Sequence, residues 1–469
     1  MTKTLFVDLD GTLCRSDTLA EGCFNILREK PFQIFPMMKA LAGSRAELKA
    51  YVSSQSTIQP DMLPIHEDFL AYLRRERAMG TKLVLATAAH EKVAEAFCDH
   101  IGLFESYVAS NSETNLKGTE KLEKIKEISS QFHYAGNSEV DLAIWKEAKG
   151  AVVVGTASLK EKAGRLTHID EWFPPEKSRF QVLTKALRVH QWAKNLLLFL
   201  PLILSHKLEA GSLWLAALGW AAFSLTASSV YLVNDLFDLH ADRQHPTKKK
   251  RPLAAGTLQL HHGAAWALLC LALGISVSAL AGLQAVKILG LYVVITSVYS
   301  FKLKKIALID TITLAGLFTL RIVAGGIITS TAVSFWLMFF SIFFFLSLAF
   351  AKRASELITV KNLGKKKTAG RGYYTEDVLA VSQIGTSLGL CSIIILALYI
   401  HNPATALLYK SPTYLIFACS LILYWLLRVW LLTHRGEMHD DPVAFAMKDR
   451  QSYLVALGVI ISAILAMFL

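Results

Sequence analysis

The sequence is poor in charged residues for its length. Only 18 % of its 469 residues are Asp, Glu, Lys or Arg, whereas 53 % are hydrophobic. Soluble globular proteins carry about 25 % charged residues. This deficit excludes a disordered chain, a coiled coil and an ordinary cytosolic enzyme, and it indicates a membrane protein.

Cysteine is scarce as well, and no long basic tract is present. The six cysteines are dispersed and form no C-x-x-C pair, which argues against a zinc site or a disulfide framework and fits a reducing compartment. The net charge is +12, but the basic residues are scattered over short loops. We therefore expect membrane lipids and anionic substrates as partners, and no nucleic acid.

The N-terminal part of the chain, residues 1–175, has a mixed polar composition. Short apolar runs predict buried strands, and stretches with helical spacing alternate with them, which favours an α/β domain with a parallel sheet. The early apolar run is followed by acids, so we expect no secretory signal peptide. The strands are predicted at 4–7, 82–86 and 151–154, and the helices at 67–77 and 120–129.

A short connecting region, residues 176–194, comes next. The stretch 171–178 (EWFPPEKS) contains two prolines and predicts a linker. The apolar side chains of residues 180–194 fall roughly on one helical face. This pattern predicts an interfacial helix at the headgroups or a plain membrane anchor.

The remainder, residues 195–469, is dominated by long apolar runs. A helix needs about 20 apolar residues to cross the hydrocarbon core. We therefore predict an all-α polytopic bundle of about nine transmembrane helices, the first of them short and containing Pro201. The runs lie near 195–207, 213–233, 263–283, 284–301, 308–329, 333–351, 378–400, 412–433 and 451–469.

Lysine and arginine are divided unevenly between the predicted loops. The loops after the second, fourth, sixth and eighth runs carry 18 of them, and the opposite loops carry three. Loops rich in Lys and Arg stay in the cytoplasm. The sequence thus predicts a multi-pass inner-membrane protein whose N-terminal domain is cytoplasmic.

Two acids follow the first predicted strand. Asp8 and Asp10 stand in VDLDGT, at the end of a parallel strand, where open α/β sheets place ligands. One aspartate can attack phosphorus, while the second protonates the leaving oxygen and later activates water. The pair can also bind Mg²⁺. A plain acidic turn at a strand end is the alternative.

With three later motifs, D-x-D-G-T at 8–12 resembles the haloacid dehalogenase superfamily. The resemblance implies a nucleophile at Asp8, an acid–base at Asp10, a Rossmann-like fold with a small helical cap, and a Mg²⁺ site that includes both acids. The last motif opens Gly-Asn where the superfamily has Gly-Asp, which leaves open a competent phosphatase or a degenerate, regulatory domain. The other implied residues are Thr87 for phosphate, Lys117 for charge neutralisation, and Asn137 and Asp141 for the metal.

A second acidic motif ends the second apolar run. Asp235, Asp238 and Asp242 stand at i, i+3 and i+7, so one helical face carries all three carboxylates. Acids at a membrane boundary are costly and are functional by default. Mg²⁺ between the carboxylates and a diphosphate would relieve their repulsion, with the basic run 248–251 beside the same anion. The alternative is a solvated helix end.

This motif resembles the UbiA superfamily of intramembrane prenyltransferases. The superfamily has a second acidic site after the fourth helix, reduced here to Asp310 because Leu314 stands at the usual second acid. That departure, with the motifs near 185–195 and 245–252, resembles the decaprenyl-phosphate phosphoribosyltransferases. The resemblance implies Mg²⁺-dependent transfer of 5-phosphoribose from phosphoribosyl diphosphate to a polyprenyl phosphate, as in making a cell-wall lipid precursor.

Basic residues support this reaction, because its substrates bring several phosphates that Mg²⁺ alone would not neutralise. The N-terminal domain would then remove the 5-phosphate. Prenyl transfer from a prenyl diphosphate to an aromatic or lipid acceptor is the alternative, and a non-enzymatic scaffold is another. The implied catalytic carboxylates are Asp235 and Asp238, and the implied substrate-binding residues are Lys194, Asn195, Asn234, Lys250, Arg251, Tyr299, Lys304, Asp310, Arg321, Lys352 and Arg371.

Overall fold

The structure is a computed structural model, and it describes residues 3–111, 114–368, 370–406, 408–438 and 441–469. Its contacts divide the chain into two compact units. The first unit comprises Met1–Leu187 and Tyr231–Ala267, and the second comprises Arg188–Val230 and Leu268–Leu469. Each unit is therefore built from two separate stretches of chain. The predicted boundaries at 175 and 194 stay a prediction.

A six-stranded sheet forms the centre of the first unit. The strand order is β3-β2-β1-β4-β5-β6, and every neighbouring pair is parallel. This confirms the predicted α/β domain. The strands are β1 Thr4–Val7, β2 Lys82–His90, β3 Ser106–Ser110, β4 His133–Gly136, β5 Gly150–Val154 and β6 His168–Phe173.

Helices cover both faces of this sheet, because successive side chains of a strand point to opposite faces. Leu5 and Val7 of β1 pack with α4 and α5, whereas Phe6 packs with α6, α7 and α8. These helices are α4 Glu67–Ala78, α5 Glu91–Ile101, α6 Thr119–Ile128, α7 Leu142–Trp145 and α8 Ala157–Gly164.

A small helical cap lies between β1 and β2 in sequence, as predicted. Its helices have a core of their own, formed by Ile26, Met37, Leu48 and Val52. The cap helices are α1 Thr18–Glu29, α2 Ile34–Gly43 and α3 Arg45–Gln55, and α9 Arg179–Ala186 follows the sheet.

Long apolar helices make up most of the rest of the chain. Within the described residues, eight are long and apolar enough to cross a membrane, so the chain is a multi-pass membrane protein. Their exposed leucine, isoleucine and phenylalanine side chains suit a lipid environment. The helices are α10 Leu200–Leu204, α11 Ala210–Phe237, α12 Leu239–Gln244, α13 Leu260–Leu280, α14 Leu283–Phe301, α15 Ile309–Ile328, α16 Phe335–Asn362, α17 Val378–Ile400, α18 Pro403–Ala406, α19 Leu415–His434, α20 Pro442–Ala446 and α21 Arg450–Phe468.

The first predicted span is not an α-helix of spanning length. It forms a 3₁₀ helix, Val189–Phe199, followed by the short α10. Eight helices of spanning length are thus present among the described residues, and the first of the nine predicted runs is the shorter apolar segment Val189–Leu204. The helix predicted over 180–194 is also interrupted, since α9 ends at Ala186 and Arg188 adopts a left-handed φ of 51°.

Two further predictions need correction in the first unit. The linker predicted at 171–178 begins later, because β6 continues through Phe173. The second strand does not end at Ala86 but runs on to His90. The added part of β2 is buried at Thr87, Ala89 and His90, and β6 pairs with β5 as far as Phe173.

Candidate functional site

A cavity of about 640 Å³ lies in the first unit at the carboxyl ends of β1 and β4. Asp8 and Asp10, which follow β1, and Asn137 and Asp141, which follow β4, belong to its wall. The two strands are parallel neighbours, so the residues that follow them meet at one edge of the sheet. Two predicted motifs far apart in the chain are thereby brought together.

Asp8, the predicted nucleophile, is nearly buried and is paired with a lysine. It is 8 % exposed, and Lys121 Nζ lies 2.8 Å from its Oδ1. Lys121 also donates to the Tyr134 hydroxyl at 3.0 Å. Burial raises the pKa of Asp8 above its ordinary value, and the charge of Lys121 opposes that rise. The lysine thus favours the ionised carboxylate that a nucleophile needs.

The lysine that contacts Asp8 is Lys121 and not the predicted Lys117. Lys117 lines the cavity, but α6 begins at Thr119 and places Lys121 in its first turn. The sequence signal that could have indicated Lys121 was a second lysine four residues after Lys117. Thr87 is buried, and its Oγ1 accepts a hydrogen bond from Ala89 N at 2.9 Å, beside the part of the wall formed by Ala88 and Ala89.

Asp10 joins the loop after β1 to the cap. Thr18 N donates to Asp10 Oδ1 at 2.8 Å, and Thr18 Oγ1 donates to Oδ2 at 3.3 Å. Burial and the neighbouring charge of Asp17 raise the pKa of Asp10 to about 7. A carboxyl group with that pKa can hold a proton near neutral pH, as a general acid must.

The oxygen atoms around Asp8 fit a hard cation such as Mg²⁺. Asn137 lies against Gly11, where a Cβ would come within 1.9 Å of Asn137 Nδ2, and Gly11 has a φ of 79°. The loops after β1 and β4 are therefore close enough to share a ligand. Carboxylate and amide oxygens of Asp8, Asp10 and Asn137 are ligands of the kind that Mg²⁺ prefers.

Asp141, predicted as a metal ligand, accepts hydrogen bonds on both of its carboxylate oxygens. Its Oδ2 accepts hydrogen bonds from Asn137 N at 3.1 Å and from Ser138 N and Oγ at 3.0 Å. Its Oδ1 accepts from the Tyr134 hydroxyl at 3.1 Å. These bonds hold the turn that carries Asn137, so the geometry gives Asp141 a positioning role.

The second acidic motif lies where α11 ends. The backbone leaves helical geometry at Asp238, yet Asp238 N still bonds to Asn234 O at 2.9 Å and Asp242 N to Asp238 O at 2.8 Å. The predicted common face therefore continues across the break into α12. Asn234 and Asp238 are half-buried on this turn.

A single arginine bridges two of these acids. Arg251 Nη1 lies 3.0 Å from Asp235 Oδ1 and 2.6 Å from Asp242 Oδ2, and both aspartates are buried. Two carboxylates thus converge on the position of one cation. Oxygens in this arrangement suit a divalent cation as well as a guanidinium. The side chain of the neighbouring Lys250 is exposed, and its carbonyl accepts from Lys185.

Metal-ligand clusters of the usual protein type are not found at either acidic site. Across the part of the chain that the structure describes, no three His, Cys, Asp or Glu side chains form a group that could hold a metal ion. A cation at these sites therefore also needs amide, water or substrate oxygens. This suits Mg²⁺, which usually keeps several waters and binds through one or two carboxylates plus phosphates.

Asp310 is the centre of a buried charge cluster in the second unit. Arg353 Nε lies 2.8 Å and Arg371 Nη1 3.4 Å from Asp310 Oδ2, and Tyr373 donates to Oδ1 at 2.6 Å. Arg371 also donates to the Tyr299 hydroxyl at 3.1 Å. The predicted set of Tyr299, Asp310 and Arg371 is brought together here. Lys304 lies in the turn Leu303–Lys305 before α15.

Two residues of this cluster were missed by sequence reasoning. Arg353 is almost fully buried and also contacts Glu356, whereas the sequence favoured its neighbour Lys352. The sequence signal that was missed is the position of Arg353 in the helix. Because Arg353 is next to Lys352, its side chain points to another face of α16. Tyr373 was visible only as part of the loop motif Gly-Arg-Gly-Tyr.

A second polar group in this unit gathers around Asp441. Lys194 Nζ lies 3.2 Å and Lys352 Nζ 3.0 Å from Asp441 Oδ2. Burial acts to raise the pKa of Asp441, but Lys352 and Lys194 lower it well below its ordinary value. The two predicted lysines are thus neighbours, and the acid that joins them was not predicted.

Arg321 and Asn195 complete this set of predicted residues. Arg321 Nε donates to Asn195 Oδ1 at 2.8 Å, and Nη2 donates to the Tyr292 hydroxyl at 3.2 Å. Arg321 and Lys194 both lie over the ring of Phe318, at 5.6 and 5.5 Å from its centre. An arginine in mid-helix therefore has partners on every side and is held in one orientation.

The comparisons with known proteins agree on the membrane part of the chain. The model of the UbiA prenyltransferase family matches residues 196–451, more than half of the sequence. The chain belongs to this UbiA family. The UbiA match contains both acidic motifs of the membrane part and begins directly after Lys194 and Asn195.

Curated relatives align with different fractions of this chain. An uncharacterized protein y4nM of Sinorhizobium fredii is 37 % identical and covers 99 % of this chain and 91 % of its own. The nodulation protein NoeC of Azorhizobium caulinodans is 32 % identical over 64 % of this chain and 96 % of its own. Decaprenyl-phosphate phosphoribosyltransferase of Corynebacterium glutamicum is 34 % identical, over 44 % of this chain and 63 % of its own.

Solved structures overlap each part at low similarity. A UbiA homolog of Archaeoglobus fulgidus bound to GPP and Mg²⁺ aligns with 60 % of this chain and 99 % of its own, at 16 % identity and a TM-score of 0.46. A phosphoserine phosphatase aligns with 39 % of this chain and 98 % of its own, at 16 % identity and a TM-score of 0.28.

Proposed function

We propose that the membrane part transfers 5-phosphoribose from phosphoribosyl diphosphate to a polyprenyl phosphate. The observation that carries the proposal is the convergence of Asp235 and Asp242 on one cation position at the end of a membrane span. Such a pair can hold a diphosphate through a divalent cation. Relatives named decaprenyl-phosphate phosphoribosyltransferase make phosphoribosyl diphosphate the preferred donor.

Mg²⁺ would be held by Asp235, Asp238 and Asp242 in the membrane part. It would offset the charge that develops on the departing diphosphate. Arg251 already contacts two of these acids, so its guanidinium would pass to the diphosphate oxygens, which it can bind through two parallel hydrogen bonds. Asn234 is placed to hold a further ligand oxygen on the same turn.

The basic residues of the second unit would bind phosphate groups. Lys194 and Lys352 share one carboxylate, and Arg353 and Arg371 share another. The group of Lys194, Lys352 and Asp441 has one more cation than acid, which leaves net positive charge for an anionic ligand. Arg353 and Arg371 are balanced by Asp310 and Glu356, so an anionic ligand would share their guanidinium groups with these acids. Orientation of the ribose against the acceptor oxygen, rather than proton transfer, would supply most of the rate.

The N-terminal domain would remove the 5-phosphate from the product. Asp8 would attack phosphorus, and Asp10 would protonate the departing sugar oxygen and then activate water to release inorganic phosphate. Mg²⁺ on Asp8, Asp10 and Asn137 would offset phosphate charge. A tethered phosphatase meets its substrate at high effective concentration. The Lys and Arg distribution over the loops supports a cytoplasmic, inner-membrane setting for this reaction.

The decisive experiment incubates the purified protein with Mg²⁺, phosphoribosyl diphosphate and a polyprenyl phosphate, followed by mass spectrometry of the lipids. We expect a ribosylated lipid from the wild type and a phosphoribosylated lipid from Asp8→Asn. Asp235→Asn and Asp238→Asn should give neither, whereas Asp61→Asn, which changes an exposed acid of the same unit, should behave as the wild type. Normal transfer by Asp235→Asn would refute the proposal.

Prenyl transfer is the second candidate, and the family match favours it. The model that covers residues 196–451 is that of a prenyltransferase family. In a parallel assay with a prenyl diphosphate and an aromatic or lipid acceptor, the prenyl diphosphate would then be consumed, whereas phosphoribosyl diphosphate in the first assay would not. The single acid at Asp310 and the clustered cations count against this function.

A further inference from the structure

The cavity that contains Asp8 is not closed by the N-terminal domain alone. Gln259 and His261 also form part of its wall, and both come from the chain after the second acidic motif. His261 lies in the first turn of α13, which is one of the eight candidate membrane spans. These residues belong to the first unit together with the sheet and the cap. The start of a membrane helix thus lines the phosphatase cavity.

Close backbone contacts hold this wall in place. Gln259 Nε2 donates to the carbonyl oxygen of Arg15 at 3.0 Å. At Gly256, whose φ is 69°, a Cβ would lie 2.8 Å from Arg15 Cβ and 2.9 Å from Pro64 Cγ. Only glycine allows the two segments to approach so closely. The contact is therefore built into the fold of the first unit.

A buried ion pair also holds the cap against the chain that follows the second acidic motif. Arg243 Nη2 lies 2.5 Å from Glu21 Oε1, and the two side chains are 7 % and 1 % exposed. Arg243 also donates to the carbonyl oxygen of Met62 at 3.3 Å. Around this pair, Ala20 and Phe24 of α1 pack against apolar side chains between Leu232 and Leu260. Breaking such a buried pair would be strongly destabilising, so the cap is firmly attached to this segment.

The cap helix α1 connects that attachment to the cavity. Its first residue, Thr18, donates to Asp10, and Glu21 on its next turn holds Arg243. The candidate acid–base and the chain after the second acidic motif are therefore joined by a single helical turn. A phosphate bound in the cavity would therefore lie beside the first turn of a candidate membrane span.

We propose that the N-terminal site acts on a phosphomonoester carried by a membrane-embedded lipid, and that Gln259 and His261 set its preference over soluble sugar phosphates. This rests on the proposed function, which supplies a lipid-linked ribose 5-phosphate. Such a substrate has a second phosphate, which joins the sugar to the lipid. The amide of Gln259 and the imidazole of His261 are hydrogen-bond donors suited to that linking phosphate, which free ribose 5-phosphate lacks.

The chemical step needs only water as co-reactant. A carboxylate oxygen of Asp8 forms a bond to phosphorus while the bond from phosphorus to the sugar oxygen breaks. Asp10 gives its proton to that oxygen and takes one from the water that cleaves the aspartyl-phosphate. The products are the lipid-linked ribose and inorganic phosphate.

The test measures phosphate release by the full-length protein in lipid nanodiscs. The probes are a synthetic polyprenyl-phosphoryl ribose 5-phosphate and free ribose 5-phosphate, so the transferase step is bypassed. We expect the wild type to prefer the lipid-linked probe by at least ten-fold in kcat/KM. His261→Ala and Gln259→Ala should each reduce that preference several-fold, mainly through KM. His262→Ala should retain it, because the His262 ring contacts the His261 ring but does not line the cavity among the described residues.

Other results would overturn the inference. Equal hydrolysis of both probes by the wild type would do so, as would an unchanged preference in both wall variants. His261→Gln keeps a hydrogen-bonding side chain and should partly restore the preference, which separates a binding role from loss of folding. Hydrolysis of the lipid-linked probe by a protein that fails to transfer phosphoribose would leave this inference standing and would refute the proposed transferase alone.

Discussion

Arg251 is placed where a metal ion would compete with it. It bridges the buried Asp235 and Asp242, so its loss removes the cation that the two carboxylates share. In metal-free buffer, Arg251→Ala should lower the free energy of unfolding by about 3 kcal/mol, as for other buried pairs. Mg²⁺ should then raise the Tm of the variant more than that of the wild type, because the competing cation is gone.

Thermal unfolding with and without Mg²⁺ measures this difference directly. Lys249→Ala is the matched control, since Lys249 is exposed in the same basic run. Equal Mg²⁺ shifts in Arg251→Ala and the wild type would contradict a cation site at these acids.

The pKa of Asp10 predicts a pH dependence for phosphate release. Burial and the charge of Asp17 raise this pKa to about 7. The protonated acid is the active form, so activity is present below that pKa and is lost as the pH rises through it. Asp17→Asn removes the neighbouring charge and should move this loss to lower pH. Asparagine still caps α1, where Asp17 accepts from Ala20 N at 3.0 Å.

A pH profile of kcat for phosphate release from ribose 5-phosphate, whose alkoxide leaving group needs a proton, tests this prediction. Asp68→Asn changes a more distant, exposed acid of the same unit and should leave the profile in place. A shift to higher pH in Asp17→Asn would be incompatible with Asp10 as the acid.

For single residues, the sequence predicted which residues form the site better than it predicted which side chains contact each other. It placed Asp8, Asp10 and Asn137 at one site, because parallel strands bring their ends together. It named Lys117 and did not find Lys121, because the contact of Lys121 with Asp8 depends on where α6 begins. Asp441 could not be found, since it meets Lys194 and Lys352 only through tertiary packing.

Among the elements, the segment Val189–Leu204 is too short to cross a bilayer as an α-helix. A 3₁₀ helix rises about 2.0 Å per residue instead of about 1.5 Å. Trp192 donates to Ser228 of α11, and Asn195 donates to Ser224, so the segment runs antiparallel to this span. The stretched backbone lets few residues cover nearly the whole bilayer.

We therefore predict that the two ends of this segment lie on opposite sides of the membrane. Cysteines introduced at His190 and Glu209, in a chain with the exposed Cys391 replaced by Ser, should react with an impermeant maleimide from opposite sides. Lys366→Cys serves as a marker of the basic side. Labelling of His190→Cys and Glu209→Cys from the same side would show that the segment does not cross.

Long apolar runs predicted the spanning helices well, because length and hydropathy alone define them. The runs near 308–329 and 451–469 match α15 and α21 closely. The polar ends of these helices were harder to predict, since α16 continues beyond its apolar run to Asn362. The break at Arg188 and the 3₁₀ geometry after it depend on packing against α11 and α15, which periodicity does not reveal.

For the whole molecule, the two proposed reactions should depend on covalent linkage. Asp8→Asn and Asp235→Asn each inactivate one reaction, so a mixture of the two proteins contains both activities on separate chains. At low protein-to-lipid ratio, the mixture should form ribosylated lipid several-fold more slowly than the wild type, because product must diffuse between molecules. Mass spectrometry of lipids over time measures this, with a wild-type and double-mutant mixture as control.

Equal rates for the two mixtures would mean that product leaves the transferase freely before hydrolysis. The sequence predicted both parts of the chain but not this dependence. Composition separates a polar half from an apolar half at about residue 175, whereas contacts assign Tyr231–Ala267 to the first unit. Pairs such as Glu21 and Arg243 decide that assignment, and neither residue is distinguished by its neighbours in sequence.

Because the chain is synthesised from its N-terminus, its division into two units affects the order in which they fold. A ribosome releases the sheet and the cap first, but the stretch that completes their unit ends only at Ala267. Until then Glu21 is without Arg243, and Ala20 and Phe24 are without their apolar neighbours. The first unit can therefore complete its fold only after Ala267 has left the ribosome. By then α11 has been synthesised, so the sheet and the cap finish folding after this candidate membrane span has been made.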